Sequence, residues 1–269
     1  MPTQAERFRH VALKAARAKE HLASLRTEVA AFLTGAPYKV AVRRDATTRK
    51  LTYYVVSVAP VPDRIVLIAG DAIQNLMSTL DHLAYQLVCR DTGDNPPNAN
   101  WIYFPIADDA ATYHAKKQGK MAGAQAPTFA AIDAIAPYKG GNDLLWRLYR
   151  LNNIEKHRLL LTVGSQAAGI HLGQMLSPLL RATFPSEAVA AFEQMDLYLN
   201  PADKGFPLQP GFELYITAPD EEPNPKLQFR FTVALDEPTI IAGAPVVEAI
   251  EELEQAVQRV VTELASLLA

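Results

Sequence analysis

A chain of 269 residues with 49% apolar and 20% charged side chains has the make-up of a water-soluble globular protein and is long enough to bury a core. A net charge of −3 excludes a global pull toward nucleic acid or an acidic membrane, so an anionic partner must meet a local patch. One cysteine, Cys89, excludes an internal disulfide framework and fits a reducing compartment.

The first 22 residues are charged throughout and hold no apolar signal core. No run reaches the roughly 18 apolar residues of a membrane span. The expectation is a cytoplasmic protein with no membrane association and no cofactor.

In chain order, residues 4–33 predict a long helix. Phe8, Val11, Ala15, Ala18, Leu22, Leu25, Val29 and Phe32 repeat at spacings of three and four, and Gly35 and Pro37 end it. Tyr38–Arg44 and Leu51–Ala59 read as the strands of a hairpin. Residues 63–90 then predict the central helix. Its opening, Ile65 to Ala69, is apolar all round, as in a helix buried on every side. Further on, Asp71, Asn75, Ser78, His82 and Tyr85 fall at i, i+4, i+7, i+11 and i+14, within about 40° of one line. Asp, Asn, Ser and His are poor helix formers, so this stripe is read as chosen for chemistry or buried hydrogen bonds. Cys89, in the last turn, reads as a small core residue.

A turn-rich DTGDNPPNAN is followed by WIYFPI, read as an extended strip over the core. Short helices are expected near Asp108–Gln118 and Thr128–Ile135, and a stronger one over residues 142–158. On that one, Trp146, Arg150, Asn153 and His157 share a face, with Lys156 and Arg158 beside the histidine. From Leu159 the pattern turns to strands: LLLTVG, IHLGQML, LLRATF, and a second hairpin of Phe212–Ala218 with Lys226–Asp236 around PDEEPNP. A last helix over 246–268 carries Val246, Ile250, Leu253, Val257, Val260, Leu264 and Leu267 on one seam. The first helix is rich in Lys and Arg and the last in Glu, so the two seams are suited to pair, within one chain or across a homodimer.

No repeat or linker is evident, and the fold expected is a single α+β domain over 1–269. Its core is a helical bundle (helices near 4–33, 63–90, 142–158 and 246–268) with antiparallel β-hairpins. Antiparallel packing of the two striped helices would gather His82, His157 and Asp71 as proton-transfer groups. Asn75, Arg150, Asn153, Lys156 and Arg158 would surround them as binders of substrate phosphate. A metal-dependent hydrolase using Asp71, His82, Glu155 and His157 is a third reading, although the tight His-x-x-x-His spacing is missing. The alternative reading makes the stripes a buried hydrogen-bond network in a non-enzymatic structural or interaction protein. His10 and His21 share a face of the first helix, read as solvated.

The stretches GDAIQNLMSTLDHLAYQLV, FPI and LNNIEKHRLL resemble a bacterial family with a Gly-Asp-Ala-x-x-Asn-Leu-Arg-x-x-Leu-Asp-His-Leu helix and an Asn-Ile-Asp-Lys-His-Arg helix end. The likeness covers most of residues 1–165 and brings no activity with it. More loosely, the chain resembles HEPN domains, helical bundles that often act as ribonucleases through an Arg followed four to six residues later by a His, usually used across a dimer. His82 matches that histidine, while Met77 stands where the Arg would be. The resemblance therefore implies an RNA- or nucleotide-binding protein with weak or absent ribonuclease activity.

Overall fold

A computed structural model describes residues 4–96, 98–158 and 161–268, with the side chains of Gln4, His157 and Arg158 outside that description. In chain order the elements are α1 (Gln4–Thr34), β1 (Tyr38–Arg44), β2 (Lys50–Val58), α2 (Asp63–Thr92), α3 (Ala110–Lys120), α4 (Ala126–Ile135) and α5 (Asp143–Arg158). There follow β3 (Val163–His171), α6 (Leu172–Leu180), α7 (Ser186–Glu193), β4 (Tyr198–Leu199), β5 (Glu213–Pro219), β6 (Phe229–Glu237), β7 (Ile241–Pro245) and α8 (Val246–Ala265). The fold is α+β, with the four long helices and the antiparallel sheets expected. Two compact units divide the chain. One holds Met1–Glu28, Asp63–Thr162 and Glu237–Ala269; the other holds Val29–Pro62 and Val163–Asp236.

The helical unit is built around α2, which packs on both α5 and α8. Ile73, Leu76, Leu80, Leu83 and Leu87 are at most 2% exposed. They meet a core that includes Leu145, Leu148 and Leu151 of α5 and Ile250, Leu253 and Val257 of α8. Five such leucine- or isoleucine-sized side chains bury roughly 10 kcal/mol of transfer free energy on the ordinary area scale, before entropy is charged against it. Contrary to the sequence expectation, the opening of α2 is not enclosed all round: Leu67 is 53% exposed, because the seam of neighbours covers only one side there.

Along α1 the seam residues Val11, Ala18, Leu22 and Leu25 are buried. Ion pairs Arg64–Glu28, at 2.7 Å, and Arg7–Asp94, at 3.0 Å, fix α1 antiparallel to α2. Lys19–Glu254 and Arg26–Glu251 join the basic first helix to the acidic last one. The two seams thus pair within the chain. At the far end of α2, Arg90 donates to Asp91, to Thr128 of α4 and to the backbone oxygen of Leu267. Asp91 in turn accepts from Gln125 N and Thr128 Oγ1, so a buried carboxylate is matched from several sides. Cys89 is buried beside it, as expected.

The strand-rich unit contains two antiparallel ladders. In one, β2 lies between β1 and β5; in the other, β3 lies between β4 and β6. The β1–β2 hairpin matches the expected one. The second expected hairpin does not form: β5 adds to β2 and β6 to β3. Alternation of apolar side chains identifies a strand and not its neighbour, and Pro223 and Pro225 remove two backbone donors from the connection. IHLGQML and the start of LLRATF, expected as strands, instead supply the end of β3 and α6, with His171 Nδ1 accepting from the backbone N–H of Gln174 at the helix start. Residues 159–160 of LLLTVG lie outside the described residues.

Candidate functional site

The polar stripe of α2 faces α1. Its lower half lines an open cleft of about 330 Å³ whose walls carry Ser78, Asp81, His82, Tyr85 and Gln86 of α2, His10 of α1 and Ile102. His82 and His10 also border an adjoining groove with Leu13, Lys14 and Arg17 of α1. Two imidazoles therefore stand between a cleft with a carboxyl and a phenol and a groove with two cations. α1 supplies the cations because its basic residues recur on the turn facing α2, one step round from the buried seam.

The electrostatics follow from that packing. Burial first, and then the positive charge of Lys14 and His10, holds the His82 imidazole below its usual pKa, so it is neutral at pH 7. Asp81 moves the other way. Burial raises its carboxyl to about 6, against the N–H donated by Phe104 and the charges of Lys156 and Lys120. Asp81 Oδ1 accepts from the backbone N–H of Phe104 at 3.0 Å, which ties the FPI segment to the cleft wall. The same burial thus shifts the two neighbours in sequence in opposite directions, each toward its neutral form. Tyr85 hydrogen-bonds the Cys89 thiol, and this bond, with burial, raises the phenol's pKa.

The upper half of the stripe has another fate. Asn75 Nδ2 donates to the backbone oxygen of Asp71 at 2.8 Å. Asp71 is exposed, 4.0 Å from His21 Nδ1. Neither Asp71 nor Asn75 lines the cleft around His82. His21 and His10, read from the sequence as a merely solvated face, lie against α2's stripe; spacing on one helix could mark the shared face but not what covers it.

Two residues of the α5 stripe, Trp146 and Arg150, turn to Asp108 and do not line the cleft around His82, where antiparallel packing was expected to bring Arg150. Trp146 Nε1 donates to Asp108 Oδ1 at 3.0 Å, and Arg150 pairs with the same oxygen at 3.5 Å. Lys139 lies over the Trp146 ring, 4.6 Å from its centroid. Asn153 is half-buried and Lys156 exposed. What α5 does offer α2 is Glu155, whose carboxyl sits over Gly70 so closely that an added Cβ would lie 2.6 Å from it. Burial, then the charge of Asp71, raises the Glu155 pKa, and its Oε2 is buried without a hydrogen-bond partner. The expected roles of His157 and Arg158 concern side chains outside the described residues.

Met77, at the position of the HEPN arginine, is 5% exposed and belongs to the core. Among the described residues no group of three or more His, Cys, Asp or Glu could hold a metal ion. Nor is any of their helices long and apolar enough to cross a membrane. Asp81 and the α1 cations were missed by sequence reasoning. Asp81 lies about 100° from His82 on the helix wheel, and Lys14 and Arg17 resemble any solvated helix face.

Fold and cleft together define the molecule as an α+β protein with a histidine- and cation-lined groove between antiparallel helices. Comparison with known proteins finds no matching family, no matching curated protein and no matching solved structure.

Proposed function

We propose that the cleft binds the phosphate backbone of RNA, or a nucleotide, with weak or absent cleavage. The observation that carries this reading is the meeting of His82 and His10 with Lys14 and Arg17 around one open space. Cations at a groove lip suit a phosphate, and a neutral imidazole beside them can accept a proton from a ribose hydroxyl. Asp81, with its raised pKa, is able to hold or release a proton nearby. His82, at the position of the histidine in the HEPN resemblance, supports the same class of ligand. The buried Met77 supports a low rate, since no charge stands there to stabilise a developing oxyanion.

Fluorescence anisotropy of a labelled single-stranded RNA pool and of labelled ATP, at about 50 mM salt, tests the reading. Binding is expected for the wild type, weakened about tenfold or more in His82→Ala with His10→Ala, with a salt slope of roughly two phosphates. Absence of binding to both probes, or binding untouched by the double substitution, overturns it. A gel assay on the same RNA reports whether cleavage occurs.

A further inference from the structure

The strand-rich unit contains a cavity unrelated to the histidine cleft. It has a volume of about 330 Å³ and is floored by Ala167 and Ile170 of β3, which are 3% and 7% exposed. Phe212, Leu214 and Tyr215 form one wall, Phe229 and Met175 another, and Leu199, 51% exposed, sits at the lip. No lining residue is charged; the Asn200 amide and the Tyr215 hydroxyl are the polar side-chain groups. Burial, then the charge of Glu221, raises the Tyr215 pKa, so the phenol is a neutral donor or acceptor.

Two irregularities of the backbone border this space. The β2–β5 register jumps from Tyr53↔Tyr215 to Tyr54↔Glu213, leaving Leu214 as a bulge residue. The β3–β6 register jumps from Ala167↔Phe231 to Gly169↔Arg230, leaving Ala168 as another. A bulge breaks strict alternation, which lets consecutive residues such as Leu214 and Tyr215 turn toward the same side. Each of the two ladders that contribute lining residues thus carries one bulge. Gly169 completes the arrangement, since a Cβ there would lie 2.9 Å from Tyr198. The Tyr53 ring lies 6.2 Å from that of Tyr215 and 5.7 Å from that of Phe229, tilted 33° and 46° to them, which links the two walls. The Phe212, Tyr215 and Phe229 rings of the lining suit an aromatic guest.

We propose that this cavity binds one small, neutral, flat apolar molecule of about the size of indole, with its single polar group toward Asn200 or Tyr215. An engineered apolar cavity of about 150 Å³ takes up benzene, so roughly twice that volume suits a bicyclic ring. The volume also falls at the lower end of small-ligand sites, about 300–1,000 Å³, which share this mostly apolar lining with a few polar groups. A charged ligand would lose its hydration with no countercharge inside.

The experiment is an indole titration of the whole protein, followed by the ¹³C-methyl resonances of its five methionines. The expected result is a saturable shift of Met175 that the other methionines do not share, with affinity at least about tenfold weaker in Leu214→Phe, which puts a ring where the ligand would sit. Where Leu214→Phe does not give the native spectrum, Ala202→Trp at the lip is read in its place. No saturable Met175 shift, equal shifts at all methionines, or unchanged affinity in the variant that folds overturns the proposal.

Discussion

On α2, Ser78, His82 and Tyr85 line a cleft shared with α1; on α5, Trp146 and Arg150 close on Asp108, and Glu155 is pressed into the notch at Gly70. In sequence the two helices look alike, each with polar residues recurring on one face. The difference lies in what each face meets. The α2 stripe meets basic side chains of another helix and leaves space between them, whereas Trp146 and Arg150 of α5 meet a carboxylate that satisfies them. A polar stripe is therefore open to ligand only where the facing element brings groups that do not pair off with it.

The largest expected effect sharpens this contrast on binding. Lys14→Glu with Arg17→Glu is expected to lower RNA affinity about a hundredfold at about 50 mM salt, while Arg150→Glu with Lys156→Glu changes it less than about threefold. Equal losses from both pairs, read by fluorescence anisotropy, would erase the distinction between the helices.

A second comparison concerns Asp81, which is read by stability against pH. Its folded pKa is raised to about 6, above the value near 4 of an unfolded aspartate. The folded state therefore binds this proton more tightly, and the associated stability is present below about pH 4 and lost as the pH rises through about 6. Asp81→Asn keeps an acceptor for Phe104 N–H and removes the titration. It is expected to exceed the wild type by about 2–3 kcal/mol in urea unfolding at pH 7.5 and to match it near pH 4. A variant equally stable with wild type at both pH values would remove Asp81 from the cleft's electrostatics.

The smallest effect concerns the notch. Glu155→Ala clears the space over Gly70, and Gly70→Ala in that background is expected to stabilise by about 1 kcal/mol through helix propensity. In the wild type the same substitution forces the Glu155 carboxyl aside and gains nothing. Additive single and double substitutions, measured by thermal unfolding, would mean that Glu155 does not occupy the notch.

Much of the fold was legible because it rests on periodicity. The long helices over 4–33, 63–90, 142–158 and 246–268 announce themselves by apolar spacing, and the first hairpin by alternation between turn residues. α6 was not legible: the IHLGQML stretch alternates like a strand, yet its latter half coils into a helix capped by His171. The division into two compact units was equally hidden, since α1 runs from one into the other with no break in its seam and no linker marks the crossing. Of the site, His82 was visible as part of a stripe of poor helix formers. Asp81 was not, because its importance comes from burial under the FPI segment and from Phe104 N–H.

By itself, then, the sequence determined which residues form helices, which helix faces are apolar and that one face of α2 is unusual. Those properties depend on side chains three and four residues apart, which the chain order specifies directly. The tertiary structure alone decided that this face looks at Lys14 and Arg17 and not at Arg150. It also decided that β5 and β6 part company, and that an apolar cavity lies beside bulged strands. Each of these depends on contacts between residues distant in the chain, where an apolar seam or an unpaired strand edge accepts any of several partners and the packing of the whole selects one.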